Sequence, residues 1–523
     1  MSQLSPLGEL EHFVELGLGL AREQDKSVLL ERILQSAMQL ANADGGTIYE
    51  VTDEGSLRFS TLINQSLQLH QGGSSGVVSG FQDIPLYING IANRQAVVSL
   101  CVIEQRVLHI DDVYQSPLVN QQKAKEFDLK TGYLTKSLLT VPLLDHESQV
   151  TGVLQLVNSL SAAGTIQPFS ETAQRVVQSL ASIAAMVMTN RQLINDLQQL
   201  FEAVTKLMAK AIDEKSPYTG GHCKRVPAIT MLLAKASADV DTGPLADFKM
   251  SDADVYELSV AAWMHDCGKI ATPEYIMDKA TKLHGLFDNI ELVATRFEIV
   301  RRDIQFDKTL SEQARQEATQ QLDFDLRFLR HTNFGGEFMS WELQKRVRDI
   351  AASYQYEMNG QIHSVLTEQE VTNLCVERGT LNSAERTIVN RHIDITIEML
   401  ESLPFPKHLK NVPEYAGGHH EKMDGTGYPR KLKREQMSVQ ARIMAIADIF
   451  EALTANDRPY KKAKTLSESL RIMAFMARDQ HIDADLFRVF VEQGVYLEFA
   501  QQFLAAEQID EVDISKIFAL ASS

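Results

Sequence analysis

Five histidines and two aspartates of this chain sit in short, chemically suggestive motifs: His222 in GGHCKRV, His265 and Asp266 in WMHDCGK, His392 in NRHID, His419 and His420 in AGGHHEKMDGTGYP, and Asp448 in AIADIFEAL. These segments otherwise read as helices rich in apolar residues, where a polar group without a partner is costly. One such histidine alone reads as an ordinary core or surface residue. Together, imidazoles and carboxylates without a thiolate suit Fe, Mn or Zn, and a set this large can hold two ions. Gly425 and Gly427, beside the paired histidines, allow the backbone to turn tightly and approach a ligand closely.

The elements that must position these residues follow a long N-terminal region of different character. Residues 25–42 carry Leu29, Ile33, Ala37 and Leu40 at helical spacing, and after a turn at Asp44-Gly45-Gly46 the pattern becomes strand-like in TIYEV. Further strands are expected at 96–103 (AVVSLCVI), 137–145 (SLLTVPLLD) and 150–158 (VTGVLQLVN), the last two joined by the polar turn HESQ. This α+β pattern resembles a GAF domain over residues 1–190. FDLKTGYLTKSLLTVPL followed by TGVLQLVNS is similar to its cyclic-nucleotide-binding type. That type carries Asn-Lys, then Phe, then Asp-Glu; this chain has Asn158-Ser159, Phe169 and Ala173-Gln174. The GAF ligand therefore stays unknown, and a GAF domain that only packs and dimerises stays open.

From about Glu171 to Asp213 the sequence has neither Gly nor Pro, and Ile194, Leu197, Leu200, Val204, Leu207 and Ala211 step by threes and fours. Residues 191–215 read as a connecting signalling helix with a seam suited to a parallel homodimer, or as a helix packed on its own domain. Ser216-Pro217 ends it.

Beyond it, His265-Asp266 with Gly268-Lys269, then His419-His420-Glu421 with Asp424-Gly425-Thr426-Gly427-Tyr428-Pro429, then Asp457-Arg458-Pro459-Tyr460, resemble the HD-GYP family of bacterial cyclic di-GMP phosphodiesterases. The resemblance implies an all-α domain over residues 216–523. It also implies two divalent metal ions, Fe or Mn, on His222, His265, Asp266, His392, His419, His420 and Asp448, with Asp266 bridging. Some members hold a third metal through a Glu four residues before the first His; Tyr218 stands there, so two metals are expected. In the mechanism this implies, a hydroxide from bound water attacks phosphorus in line. Lys269, assigned as catalytic with Asp266, and Arg458 would meet the substrate phosphates. Tyr428 would stack on guanine or bond phosphate, with a loop-stabilising role as the alternative; Arg458 could instead brace helix ends.

In ordinary members one short connection joins the HD helix to the next metal histidine, whereas here residues 267–391 intervene. Residues 280–378 read as a helical insertion, in which Leu283, Leu286, Ile290, Val293, Phe297, Val300 and Ile304 suggest one helix, and His284, His331 and His363 read as surface residues. Asn382-Ser383-Ala384-Glu385 resembles a capping box opening the helix that presents His392.

At 523 residues the chain requires several cores. Its net charge of −18 argues against nucleic-acid polymers and anionic membranes, so an anionic ligand must meet a local basic pocket. Four scattered cysteines suit reduced thiols, and neither a secretory signal nor a membrane-spanning run is evident, which points to the cytoplasm. The reading is thus multidomain: GAF sensor, connecting helix, and a metal-dependent phosphodiesterase converting cyclic di-GMP to pGpG under GAF control, with further cleavage to GMP left open. Cyclic GMP-AMP as substrate, or a non-catalytic cyclic-dinucleotide receptor, are the alternatives.

Overall fold

The protein is described from a computed structural model over residues 25–76, 80–215, 221–456 and 463–522. Tyr218, the Ser216-Pro217 break and the Asp457-Arg458-Pro459-Tyr460 motif lie outside these residues. The chain divides into two units, residues 1–200 and 201–523.

In the first unit, helix α1 (Lys26–Ala41) starts where the Asp25 carboxylate accepts the backbone N–H groups of Ser27 (2.7 Å) and Val28 (3.1 Å). It ends at Asn42, which takes the left-handed conformation (φ 50°). An antiparallel sheet follows: β1 (Ala43–Val51), β2 (Ser56–Asn64), β3 (Leu69–Gly72), β4 (Leu108–Ile110), β5 (Leu138–Leu144) and β6 (Val150–Leu160), in spatial order β3-β2-β1-β6-β5-β4. Two-residue strands at Ile84–Pro85 and Ile166–Gln167 add to it.

Alternation along the strands divides two cores, as the period of two requires. Ile48, Leu139, Val141, Leu154 and Leu156 face α1 and the start of the long helix; Tyr49, Leu138 and Val153 face the other way, with α2 (Val97–Glu104).

Two sequence expectations fail here. AVVSLCVI is helix α2, not a strand: an apolar run of this length has no periodicity to decide between the two, and the sheet edge is taken by β4 instead. Asp44-Gly45-Gly46 is not a turn but lies within β1. A Cβ on Gly45 would stand 2.6 Å from the Asn64 side chain, and one on Gly46 2.6 Å from that of Leu34, so the glycines serve close packing of α1 and β2. The hairpin of β5 and β6 through HESQ is as expected.

Helix α4 (Glu171–Lys215) follows α3 (Gln121–Thr131). Its early residues Val177, Leu180 and Ala184 are buried on the sheet, whereas Ile194, Leu197, Leu200, Val204 and Leu207 are 45–67% exposed.

The second unit is helical. Helices α5 (His222–Ala238), α6 (Asp252–Met264), α13 (Val439–Thr454), α14 (Leu466–Arg478), α15 (Ala484–Glu492) and α16 (Val495–Phe503) share one core, including Val226, Leu258, Ile446, Phe450, Met473 and Phe490. Between α6 and α13 come α7 (Ile290–Phe306), α8 (Glu312–Asn333), α9 (Trp341–Ser353), a hairpin of β7 (Gln355–Met358) and β8 (Gln361–Ser364), α10 (Glu368–Leu374), α11 (Ser383–Glu401) and α12 (Val412–Gly417).

Residues from Leu283 to Leu374 bury a core of their own around Phe297, Leu322, Leu329 and Val347. The ends of this segment meet. Lys279 Nζ pairs with both oxygens of Glu385 (2.7 and 2.8 Å), and Thr380 Oγ1 donates to the Lys279 carbonyl (2.9 Å). The expected seam is shorter than read: the helix begins at Ile290, and Leu286 lies in the preceding loop, 94% exposed. His331 is exposed, while His284 and His363 are half-buried, and none joins a metal-like group. Among the described residues, no helix is long and apolar enough to cross a membrane.

A candidate metal centre

Each motif is delivered by a different piece of the helical unit. His222 is the first residue of α5, and His265 and Asp266 follow α6 at the entry to a tight 3-10 turn (Cys267–Ala271). His392 lies within α11, whose N-terminus is the expected capping box of Asn382 and Glu385. His419 and His420 follow α12, and Asp448 lies on α13. Gly268 brings the turn against α11: its N–H donates to Thr396 Oγ1 (2.9 Å), and a Cβ there would stand 2.0 Å from the His392 carbonyl oxygen.

All seven side chains converge. His222 Nε2 lies 3.0 Å from Asp266 Oδ2 and 3.5 Å from Asp448 Oδ1; His265 Nε2 lies 3.2 and 3.9 Å from the same atoms. The other oxygen of Asp266 faces His392 Nε2 at 3.3 Å. The rings of His419 and His420 are 4.3 Å apart, and His420 stands 5.3 Å from His392. Two groups, His222/His265/Asp266 and His392/His419/His420, each offer ligand atoms within 4.8 Å of one another, and Asp266 spans the gap between them.

The ring nitrogens turned away from the centre are fixed. His265, His392 and His419 all direct Nδ1 to the carbonyl three residues earlier: Ala262 (2.8 Å), Val389 (2.5 Å) and Ala416 (2.5 Å). His222, at a helix start, uses Glu451 instead (2.6 Å), and Glu451 in turn accepts Arg225 Nε (2.7 Å). Such outer partners set the tautomer and aim the inner nitrogen. Among the described residues, Asp266 Oδ1, His392 Nε2 and His419 Nε2 are left buried without a hydrogen-bond partner. Buried orphan acceptors of this kind, gathered at one point, fit a divalent cation.

The electrostatics agree for His419 and His420, while His222, between Glu451 and Asp266, is held in its protonated form. Burial pushes His419 down to about 4, with His265 adding to it, and burial with His419 and His392 holds His420 well below its usual value; both are neutral at pH 7, the ligating form. Burial opposes charge on His222, but Glu451 and Asp266 outweigh it and lift it to about 10. Burial likewise opposes the Asp266 carboxylate, which Lys269 and His265 hold well below the ordinary range. Lys269, expected at the substrate phosphates, has its ammonium paired with Asp266.

Tyr428 stacks on His420 (4.9 Å between centroids, 23° between planes) and, with Pro429, Asn390, Arg391 and Asp394, lines a cavity of about 520 Å³. Arg458 lies outside the described residues. The loop holding Tyr428 is closed by Glu421, 1% exposed, which accepts the N–H groups of Arg430 (2.6 Å) and Leu432 (3.0 Å). Gly427 permits this: a Cβ there would lie 2.5 Å from Glu421 Cα. Sequence reading missed Glu451, Arg225 and the role of Glu421. Glu451, one helical turn after Asp448, carried a usable signal, being an acid on a largely apolar helix.

Comparison with known proteins fits this geometry. Residues 366–486 match the HD domain family and residues 23–189 the GAF domain family. A 3'3'-cGAMP-specific phosphodiesterase of Vibrio cholerae is 27% identical over 272 residues, 52% of this chain and 35% of the relative; a second from that organism is 34% identical over 137 residues (26% and 31%). A cyclic di-GMP phosphodiesterase of Pseudomonas aeruginosa is 40% identical over 119 residues, 23% of this chain and 28% of the relative. The chain thus spans about a third of the length of these relatives. Residues 23–189 thus match a GAF domain and residues 366–486 an HD domain, the described residues hold candidate metal-binding His/Asp groups, and the three relatives named are cyclic-dinucleotide phosphodiesterases, in keeping with the resemblance drawn from the motifs.

Proposed function

We propose that the chain is a metal-dependent phosphodiesterase that opens cyclic di-GMP to pGpG and continues to GMP. The observation that carries this reading is the convergence of seven side chains, among which Asp266 Oδ1, His392 Nε2 and His419 Nε2 are buried and, among the described residues, have no hydrogen-bond partner. His222, His265, Asp266 and Asp448 would hold one divalent ion and His392, His419, His420 and Asp266 the other, iron or manganese. When bound, such a pair supplies Lewis acidity to a water and to the phosphodiester.

The chain's own groups do the rest. Asp266 divides its two oxygens between the groups and fixes their spacing. The Lys269 ammonium, resting on Asp266, is placed to exchange that carboxylate for a phosphate oxygen, and Arg458 is a second phosphate contact. Tyr428 offers an aromatic wall to a base entering the cavity beside α11.

A second substrate, 3'3'-cGAMP, is favoured by the Vibrio cholerae relatives. The exposed seam of α4 supports a parallel homodimer, and GAF control of the rate accompanies it. Scattered reduced cysteines support a cytoplasmic location. Chromatography of products after anaerobic incubation with each dinucleotide tests the reading. Linear dinucleotide or mononucleotide is expected; tight binding of cyclic di-GMP without product, on a full metal complement, would instead make the chain a receptor.

A further inference from the structure

The last turns of α4 belong to the helical unit, where Thr205, Ala209 and Ile212 are buried while Val204 and Leu207 stay exposed. The helix ends in two side chains that reach two different parts of the metal centre. Asp213 caps α5 from outside. Gly221, at the start of α5, has no side chain to offer the free N–H groups there, and Asp213 supplies the acceptors: Oδ2 takes the Gly221 N–H (3.1 Å) and Oδ1 the Cys223 N–H (3.4 Å). A helix start leaves such groups unsatisfied, and an Asp carboxylate suits them. The two amides stand on either side of His222 in the chain, so Asp213 holds the backbone from which that imidazole reaches Asp266 and Asp448.

Lys215 does the same for a second motif. A lysine ammonium has three donors and no acceptor, and this one meets three carbonyls, those of Lys269 (3.1 Å), Ile270 and Thr272 (2.7 Å). They close the C-terminal end of the 3-10 turn Cys267–Ala271, where a lysine can satisfy the last carbonyls. That turn opens directly after His265-Asp266 and carries Lys269, whose own ammonium rests on Asp266.

We propose that Asp213 and Lys215 are positioning residues, Asp213 for His222 and Lys215 for Lys269, through which a movement of α4 reaches the centre. Each acts through the backbone of the residue it places. Loss of Asp213 frees the start of α5 and blurs the aim of one imidazole. Loss of Lys215 loosens the turn beyond Asp266 and so displaces Lys269, leaving the side chains that gather as candidate ligands in place. The kinetic consequence rests on the phosphodiesterase reading; the effects on metal affinity and on the backbone do not need turnover.

The test uses the full chain as wild type, Asp213→Ala, Asp213→Asn, Lys215→Met and, as a control on an exposed lysine of the same helix, Lys210→Met. Metal-free protein is titrated anaerobically with Mn2+ by calorimetry, amide hydrogen exchange is followed over residues 266–273, and melting shows which variants are folded. Asp213→Ala should bind Mn2+ about ten-fold more weakly, as on loss of an outer partner of a ligand, and Asp213→Asn, which keeps one acceptor, less so. Lys215→Met keeps the apolar stem and should hold Mn2+ within about three-fold of wild type while losing about ten-fold in kcat/KM for cyclic di-GMP, the cost of a misplaced substrate contact. Its exchange should quicken about ten-fold at Lys269 and Thr272, whose N–H groups bond the Asp266 (2.9 Å) and Lys269 (3.0 Å) carbonyls. Lys210→Met should match wild type throughout. Wild-type Mn2+ affinity in folded Asp213→Ala, or in Asp213→Asn if the Ala variant does not fold, overturns the role of Asp213. Unchanged exchange in Lys215→Met, or a loss of Mn2+ affinity as large as its loss of kcat/KM, overturns that of Lys215. A wild type that binds Mn2+ but forms no product counts against the phosphodiesterase reading alone, since titration and exchange still decide the two roles.

Discussion

Replacing Glu451 by Gln separates the aiming of a metal ligand from the ligand itself. Glu451 is 2% exposed, and its two oxygens are divided between His222 Nδ1 (2.6 Å) and Arg225 Nε (2.7 Å). Burial opposes its charge, but His222 and Arg225 hold it down at about 2, so it is a full carboxylate at pH 7. The amide preserves shape and one hydrogen bond while removing the charge that makes His222 a stronger donor to a metal. Loss of such an outer partner costs about 10–100-fold in metal affinity, or about 1.4–2.7 kcal/mol. Both Glu451→Gln and Glu451→Ala take the anion from beside the largely buried Arg225 guanidinium, at about 3–5 kcal/mol of fold stability; Ala adds a cavity and the loss of both hydrogen bonds, so Gln is the variant to titrate, with its fold checked by melting. The assay is anaerobic titration of metal-free protein with Mn2+, read by calorimetry and by metal counting. A Gln variant with wild-type affinity and stoichiometry would refute the assignment of Glu451 as the residue positioning His222.

Three further outcomes are expected. Gly268→Ala forces a Cβ to within 2.0 Å of the His392 carbonyl and 2.6 Å of the Thr396 nitrogen, both backbone atoms of α11, so melting should show a loss of at least ~3 kcal/mol; an unchanged melting temperature contradicts the packing. Asp483, with a fully buried side chain, bonds Arg434 (2.9 Å) and Arg442 and caps α15; burial opposes its charge, yet Arg434 and Arg442 hold its carboxyl below the usual 3.8. Its stabilisation is therefore complete above about pH 4 and is lost as pH falls through the lowered value. Asp483→Asn should destabilise by ~3 kcal/mol at pH 7, with the gap to wild type narrowing in acid; a gap constant down to the acid transition counts against it. Leu197→Asp with Leu200→Asp places charges on exposed apolar positions of α4 (67% and 60%). Light scattering should then report monomer where the wild type is dimeric, and an unchanged mass removes the seam as an interface.

The convergence of the His and Asp motifs was legible because rare residue types recur at several places at once in otherwise apolar helices, while the full set of seven came from the resemblance of their motifs to one family. The hairpin of β5 and β6 was legible for a similar reason, since its alternation and its turn agree. Residues 96–103 were not, because seven apolar residues and one serine in a row fit a buried helix as well as a strand and only tertiary packing against β5 and β6 decides. Gly45 and Gly46 misled because a glycine pair signals a turn as readily as a close approach of a helix to a sheet. Glu451 escaped because one acid on a helix has no meaning until His222, 229 residues earlier in the chain, is beside it. Residues 280–378 stood out only against the family pattern the motifs resemble, and neither the separate core of residues 283–374 nor the β7–β8 hairpin was readable, since both depend on contacts among segments with no shared pattern.

The most direct test of the central claim compares wild type with Asp266→Ala, purified anaerobically, for metal content and turnover of cyclic di-GMP in the same preparations. Asp266 reaches both groups, through Oδ2 to His222 (3.0 Å) and Oδ1 to His392 (3.3 Å). The account predicts about two metals per wild-type chain, product from wild type only, and a folded variant with depleted metal. Undiminished hydrolysis by Asp266→Ala would contradict it.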